Sequence, residues 1–141
     1  MKEDTILKVL PWDVRSIIQK EKLEFEYLQE IRLREGKPLI FLYHDTEIIP
    51  GSGMNKPYLV TKDNIREMLE YISNYSLYAC EQEMRQGFIT IEGGHRVGLS
   101  GQAIMENGKV KNLKYISSVN IRVAHEMLGC ADRVFPYIVC N

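Results

Sequence analysis

Apolar side chains change their period along this chain, and that change limits which folds are open to it. From residue 88 onward they recur at every second position. Val97, Leu99, Ala103 and Met105 fall on one side, with Arg96, Gly98, Ser100 and Gln102 on the other. Further on, Val119, Ile121 and Val123 alternate with Asn120, Arg122 and Ala124. A period of two means strands with one wet face. Gly93-Gly94 and Asn107-Gly108 are the hairpin turns between them, because both pairs accept the positive φ that such turns need.

Elsewhere the period is helical or mixed. Ile6, Leu7, Leu10, Val14, Ile17 and Ile18 step by threes and fours on either side of Pro11, which predicts two short helices. Ile65, Met68, Leu69 and Ile72 form a second stripe behind Thr61, a residue able to cap a helix. A further helix is expected up to Gly87, with Leu77, Cys80 and Met84 on its apolar side, and a last amphipathic segment with Val134, Phe135 and Ile138. Between the first helices and Thr61, "EIRLR", "PLIFLY" and "EII" are separated by turns at Gly36 and at His44-Asp45-Thr46, a small antiparallel meander. The charges of Glu24, Glu26, Glu30, Arg32 and Arg34 mark its solvated side, and Trp12 beside Pro11 is expected to anchor packing. The order is α+β, with mainly antiparallel sheets and packed helices. A length of 141 residues suits a single domain spanning 1–141.

Composition narrows the function. The net charge of −1 gives no electrostatic case for nucleic acid or an anionic membrane. No apolar run approaches the roughly 20 residues that span a bilayer, and the charged start "MKEDTILKVLPWDVR" is unlike a signal peptide. Three widely spaced cysteines without C-x-x-C fit a reducing compartment. His95, His125 and Cys130 have no zinc spacing, so no metal site is expected. No Ser-His-Asp or paired-carboxylate arrangement is visible, so no catalytic residue is assigned.

"GGHRVGLSGQ", residues 93–102, is the stretch that raises a chemical question. It has four glycines and a His95-Arg96 pair. A P-loop needs Gly-Lys followed by Ser or Thr, whereas Gly36-Lys37 precedes Pro38 and Gly108-Lys109 precedes Val110. G-x-G-x-x-G is absent as well. Arg96 and Arg122 lie on the polar sides of consecutive hairpin strands, where both can face one anion with bidentate guanidinium forks. Gly98 and Gly101 would let a ligand or a neighbouring subunit approach the backbone. The other reading keeps both arginines as decoration on a solvated sheet, with glycines that permit curvature. The residues alone leave both readings open.

Three segments, "EIRLREGKPL", "RQGFITIEGGHRVGLSGQA" and "ISSVNIRVAHE", together resemble the N-terminal part of the stage III sporulation protein AA family of endospore-forming Firmicutes. Members are longer, and carry a Walker-type ATPase of the secretion superfamily in their C-terminal half. The resemblance implies that this chain is the N-terminal regulatory and assembly domain without that ATPase, with no enzymatic activity or cofactor of its own. It implies a PAS-like fold, as in the N-terminal domains of pilus-retraction motors, whose hairpin "GKPLIFLYHDTEI" is similar. By position, "HRVGLSG" and "NIRVAH" resemble the strands through which those domains reach nucleotide. Arg96 and Arg122 would then sense nucleotide in the full-length protein, supported by Gly93, Gly94, His95, Gly98 and Gly101. The whole protein would use ATP and Mg and energise a channel between mother cell and forespore, with this domain set against its own C-terminal ATPase domain and the neighbouring subunits of a homo-hexamer. It would sit in the cytoplasm at the mother-cell face of the forespore membrane, against membrane channel proteins. Two other roles stay open: a non-enzymatic docking module for channel subunits, and a PAS-like small-ligand sensor. Until nucleotide is present, the arginines are expected to be accessible on one face of the second sheet, neutralised by water, an anion, Glu92 or Glu126.

Overall fold

A computed structural model describes residues 2–54, 56–75, 87–106 and 109–125. Helices α1 (Lys2–Val9) and α2 (Trp12–Lys20) lie on either side of Pro11. Strands β1 (Leu28–Arg34), β2 (Ile40–Tyr43) and β3 (Thr46–Ile48) make the first meander, and α3 (Lys62–Tyr75) follows. Strands β4 (Phe88–Thr90), β5 (Arg96–Glu106) and β6 (Lys109–Arg122) make the second. The expected helix carrying Leu77, Cys80 and Met84, the Asn107-Gly108 turn, Glu126 and the last amphipathic segment lie outside the described residues.

The two meanders do not form separate sheets. They join edge to edge in one six-stranded antiparallel sheet of order β3-β2-β1-β6-β5-β4. The seam is β1 against β6, with Ile31 opposite Ile121 and Leu33 opposite Val119. Each meander alone would leave a strand edge with unpaired backbone groups, and the pairing satisfies both edges at once. The fold class expected from the order of elements, α+β with antiparallel strands, is the one that forms.

One side of the sheet is the core. Ile31, Leu33, Phe41, Ile89, Val97, Val119 and Ile121 are buried there beneath Ile6, Val9, Leu10 and Val14 of the first helices and Ile65, Met68 and Ile72 of α3. A bulge at Gln29 lets Leu28 and Ile31, three apart, both reach this side. Burying such side chains contributes about 1.5–3 kcal/mol each.

Local devices fix the ends of the elements. Thr61 and Asn64 form a reciprocal cap on α3: the Asn64 amide donates to Thr61 Oγ1 at 3.0 Å and the Thr61 amide donates to Asn64 Oδ1 at 2.9 Å. Pro11 offers no side-chain cap to α2, so Glu67 of α3 supplies one. Its Oε2 accepts from the Trp12 amide at 2.9 Å and from the Tyr71 hydroxyl at 3.1 Å. The Trp12 ring, expected as a packing anchor, is instead 68% exposed; its backbone does the anchoring. Between β2 and β3, His44 and Asp45 take φ of 52° and 62°, the two-residue turn whose twist suits a hairpin. Neither is glycine, and each has a compensating contact: His44 stacks on Tyr27 at 4.7 Å, and Asp45 exchanges hydrogen bonds with the Gln29 amide group.

Candidate phosphate-binding face

The side of the sheet opposite the core is polar and is not covered by any described helix. Its residues form rows across the strands. Glu30, Arg122 and Arg96 are directly paired neighbours in one row, Arg32, Asn120 and Gly98 in the next, and Arg34, Ser118 and Ser100 in the third. Arg96 and Arg122 are thus opposite each other on adjacent strands, and both are exposed. They line a depression of about 170 Å³ together with Gly98 and Asn120.

Like charges placed directly opposite destabilise a sheet. Two contacts moderate this pair. The Arg96 guanidinium lies over the Phe88 ring, 4.7 Å from its centroid, a cation–π contact that orients it. Glu30 stands opposite Arg122 on the other flank. It is 9% exposed, not part of a solvated strand face as its alternating charges suggested. Arg32 donates to it from Nε at 3.2 Å and from Nη2 at 3.4 Å, and reaches Glu47 through Nη1 at 3.0 Å. Burial pushes the Glu30 carboxyl up. Hydrogen bonds from Arg32 and Asn120 and the charges of Arg32 and Arg122 outweigh burial, and hold it below the usual carboxylate range. Arg32 is therefore spent on Glu30 and Glu47. Arg34, Arg96 and Arg122 form no ion pair with any described carboxylate.

The glycines and His95 of residues 93–101 divide by role. Gly93 and Gly94 have φ of +94° and +84°. They turn the chain in a three-residue loop with Glu92, closed by Ile91 N–H to His95 O and Gly94 N–H to Ile91 O, each 3.0 Å. Gly98, two residues along β5 and opposite Asn120, is the open floor beside the arginines; a Cβ there would meet nothing closer than 3.7 Å. The space that Gly101 clears is filled from within, since its Cβ would stand 2.6 Å from the Tyr115 carbonyl oxygen. His95 is 0% exposed. Its Nδ1 accepts from the Ala124 amide at 2.9 Å and its ring lies edge-on to Phe25 at 6.1 Å. Phe25 also meets His125, whose Nε2 donates to the Leu28 carbonyl at 2.7 Å. Both histidines thus tie the end of β6 to the turns around it, and His95 supports the loop from inside the protein.

Among the described residues, no group of three His, Cys, Asp or Glu is placed to hold a metal ion, and no helix is long and apolar enough to cross a membrane. A cavity of about 150 Å³ is lined by apolar residues such as Ile6, Leu7, Ile18 and Phe25 together with Gln19 and Lys22. It is smaller than the roughly 300–1,000 Å³ of sites that enclose drug-sized ligands.

The family model for sporulation stage III, protein AA, matches residues 1–141. The chain belongs to that family. It is 36% identical over 137 residues to stage III sporulation protein AA of Bacillus subtilis (strain 168), a match that covers 96% of this chain and 43% of the relative. The chain thus spans less than half the length of the curated relative it matches. Within the chain, the segments that carried the resemblance are β1 with its turn, the β4–β5 hairpin and the end of β6, the parts that build the arginine face. Local reading found Arg96, Arg122 and Gly98. It missed Glu30 as a member of the site, because the β1–β6 pairing that brings it in joins residues about ninety positions apart, and it passed over Asn120, which stands opposite Gly98 in the same hairpin as the arginines.

Proposed function

We propose that this chain is the nucleotide-sensing module of a sporulation ATPase, and that Arg96 and Arg122 are the residues it presents to nucleotide bound by the rest of the protein. The observation that carries the reading is the cross-strand arginine pair itself: two exposed guanidinium groups directly opposite each other, above a glycine floor, without a described ion pair. Family membership supports the setting. A relative more than twice as long leaves room for an ATPase domain that binds ATP and Mg. In this reading the protein is cytoplasmic, assembles as a homo-hexamer at the mother-cell face of the forespore membrane, and energises a transenvelope channel. The PAS-like description of the N-terminal domains of related motors is compatible with a six-stranded antiparallel sheet covered by helices on one side.

The chemistry follows from charge movement. As a γ-phosphoryl group transfers, negative charge builds on the leaving oxygen, and a guanidinium placed there stabilises the transition state more than the ground state. Changing Arg96 or Arg122 to Ala in the full-length protein should lower ATP turnover by at least about tenfold while ATP affinity changes far less. Lys at either position should rescue only in part, for want of the planar fork. Single-turnover kinetics beside nucleotide titration separates the two quantities. Unchanged turnover in both Ala variants, or affinity lost as fully as turnover, would overturn the reading.

A further inference from the structure

The arginine pair has a second depression beside it. This one holds about 190 Å³ and is lined by Arg32, Arg34, Ser118, Val119 and Asn120. Asn120 lines both depressions and forms the wall between them. We propose that Arg34 and Ser118 form a second phosphate subsite, so that the face takes an oligophosphate chain of three or more linked phosphates, with one end on Arg96 and Arg122 and the other on Arg34. This deepens the proposed function and rests on its reading of the open face as a phosphate receptor.

Two observations carry it. First, Arg34 is exposed and forms no ion pair with a described carboxylate, whereas its neighbour Arg32 is satisfied twice over. The cation that faces outward in the second depression is therefore Arg34, with the Ser118 hydroxyl directly across the strand pair. Second, the spacing suits linked phosphates. The two depressions are offset by about two residues along β6 and by about one strand, which is roughly 7 Å and 5 Å. Flexible arginine arms on both sides close the remaining gap.

The test is titration calorimetry of the 141-residue chain at low ionic strength with inorganic phosphate, pyrophosphate and triphosphate. Triphosphate should bind more tightly than phosphate by at least about tenfold, the worth of one charge-assisted arginine contact. Arg34→Ala should remove most of that advantage and leave phosphate binding unchanged; circular dichroism checks that the variant is folded. Arg96→Ala should weaken both ligands. If Arg34→Ala leaves the triphosphate advantage intact, or if triphosphate does not bind at about 10 mM, the subsite is overturned. If Arg34→Ala acts as expected while Arg96→Ala changes neither ligand, the subsite stands and the role of the arginine pair fails. A peptide with Asp at alternate positions that binds where triphosphate does not would overturn the phosphate assignment in favour of an acidic strand.

Discussion

Gly101 shows how one residue can be fixed by the backbone of another strand. β5 has 11 residues and β6 has 14, and the ladder between them shifts register three times, each time with the extra residue on β6. Tyr115 is one of those residues, with φ of +54°. Its carbonyl is pushed to within 2.6 Å of where a Gly101 Cβ would stand, and the Ile116 Cα to within 2.8 Å. Backbone atoms cannot swing aside as a side-chain tip can. Gly101→Ala should therefore destabilise the protein by about 1–3 kcal/mol. Gly98→Ala, on the same strand, meets only ordinary contacts and should change stability by less than about 0.5 kcal/mol. Urea denaturation of the two variants checks the contrast; equal losses would mean that the bulge relaxes. The same glycine types in one short stretch thus have two different jobs, space for the sheet at 101 and space above the sheet at 98.

At the scale of elements, polar contacts add to the apolar stripes in holding the helices to each other. Tyr58 is the hub of one such contact. Its hydroxyl lies 3.0 Å from Asp13 Oδ2 and 2.8 Å from Asn64 Oδ1. Burial and the Asp13 carboxylate push its phenol up to about 12. Asn64 Oδ1, which also accepts from the Thr61 amide, stands on the other side of the same hydroxyl. Glu67 is the second link, capping the first amide of α2 from a different helix. A carboxylate at a helix N-terminus both satisfies an orphan donor and meets the positive end of the helix dipole. Glu67→Ala should cost about 1 kcal/mol, the usual worth of an N-cap, and Glu67→Gln less, since an acceptor remains. Chemical denaturation followed by far-ultraviolet circular dichroism measures both. No loss in the Ala variant would show that water replaces the cap.

For the whole molecule, the buried Glu30 links the two meanders electrostatically as the β1–β6 ladder links them by backbone. Its folded carboxyl releases its proton more readily than an unfolded one, so near the ordinary carboxylate range the unfolded chain binds more protons. The stabilisation is complete above that range and is lost as pH falls through the lowered folded value. Wild-type stability should therefore decline on acidification below about pH 4.5 more steeply than that of Glu30→Gln. Thermal melts across pH 3 to 7, on the order of one melt per half unit, give the two slopes. Parallel slopes would remove Glu30 from the acid response. The same carboxylate matters for the open face. It takes up Arg32 and shares the field of Arg122, so the cations left for a ligand are Arg34, Arg96 and Arg122.

Periodicity determined the elements of this protein, and the structure keeps them: helices on either side of Pro11, a helix behind Thr61, strands at "EIRLR" and "PLIFLY", and the polar side of the "HRVGLS" strand. Each of these rests on contacts within a few residues, where the period of apolar side chains and the turn chemistry act directly. The local sequence also marked Arg96 and Arg122 as a pair, because a short turn makes consecutive strands neighbours. Only the tertiary structure decided that the two meanders share one sheet. β1 and β6 meet there through an edge-to-edge pairing that leaves no local trace, and that pairing turned Glu30 from an apparent surface charge into the buried partner of Arg32 and neighbour of Arg122. It also set Arg34 beside Ser118 and Asn120. Likewise the burial of His95 depends on Phe25 and Ala124, distant in sequence, and the need for glycine at 101 depends on a bulge in the strand opposite. A residue's own neighbours set its conformation; the environment of its side chain is set by whichever strand or helix packs against it, and that is a property of the folded chain.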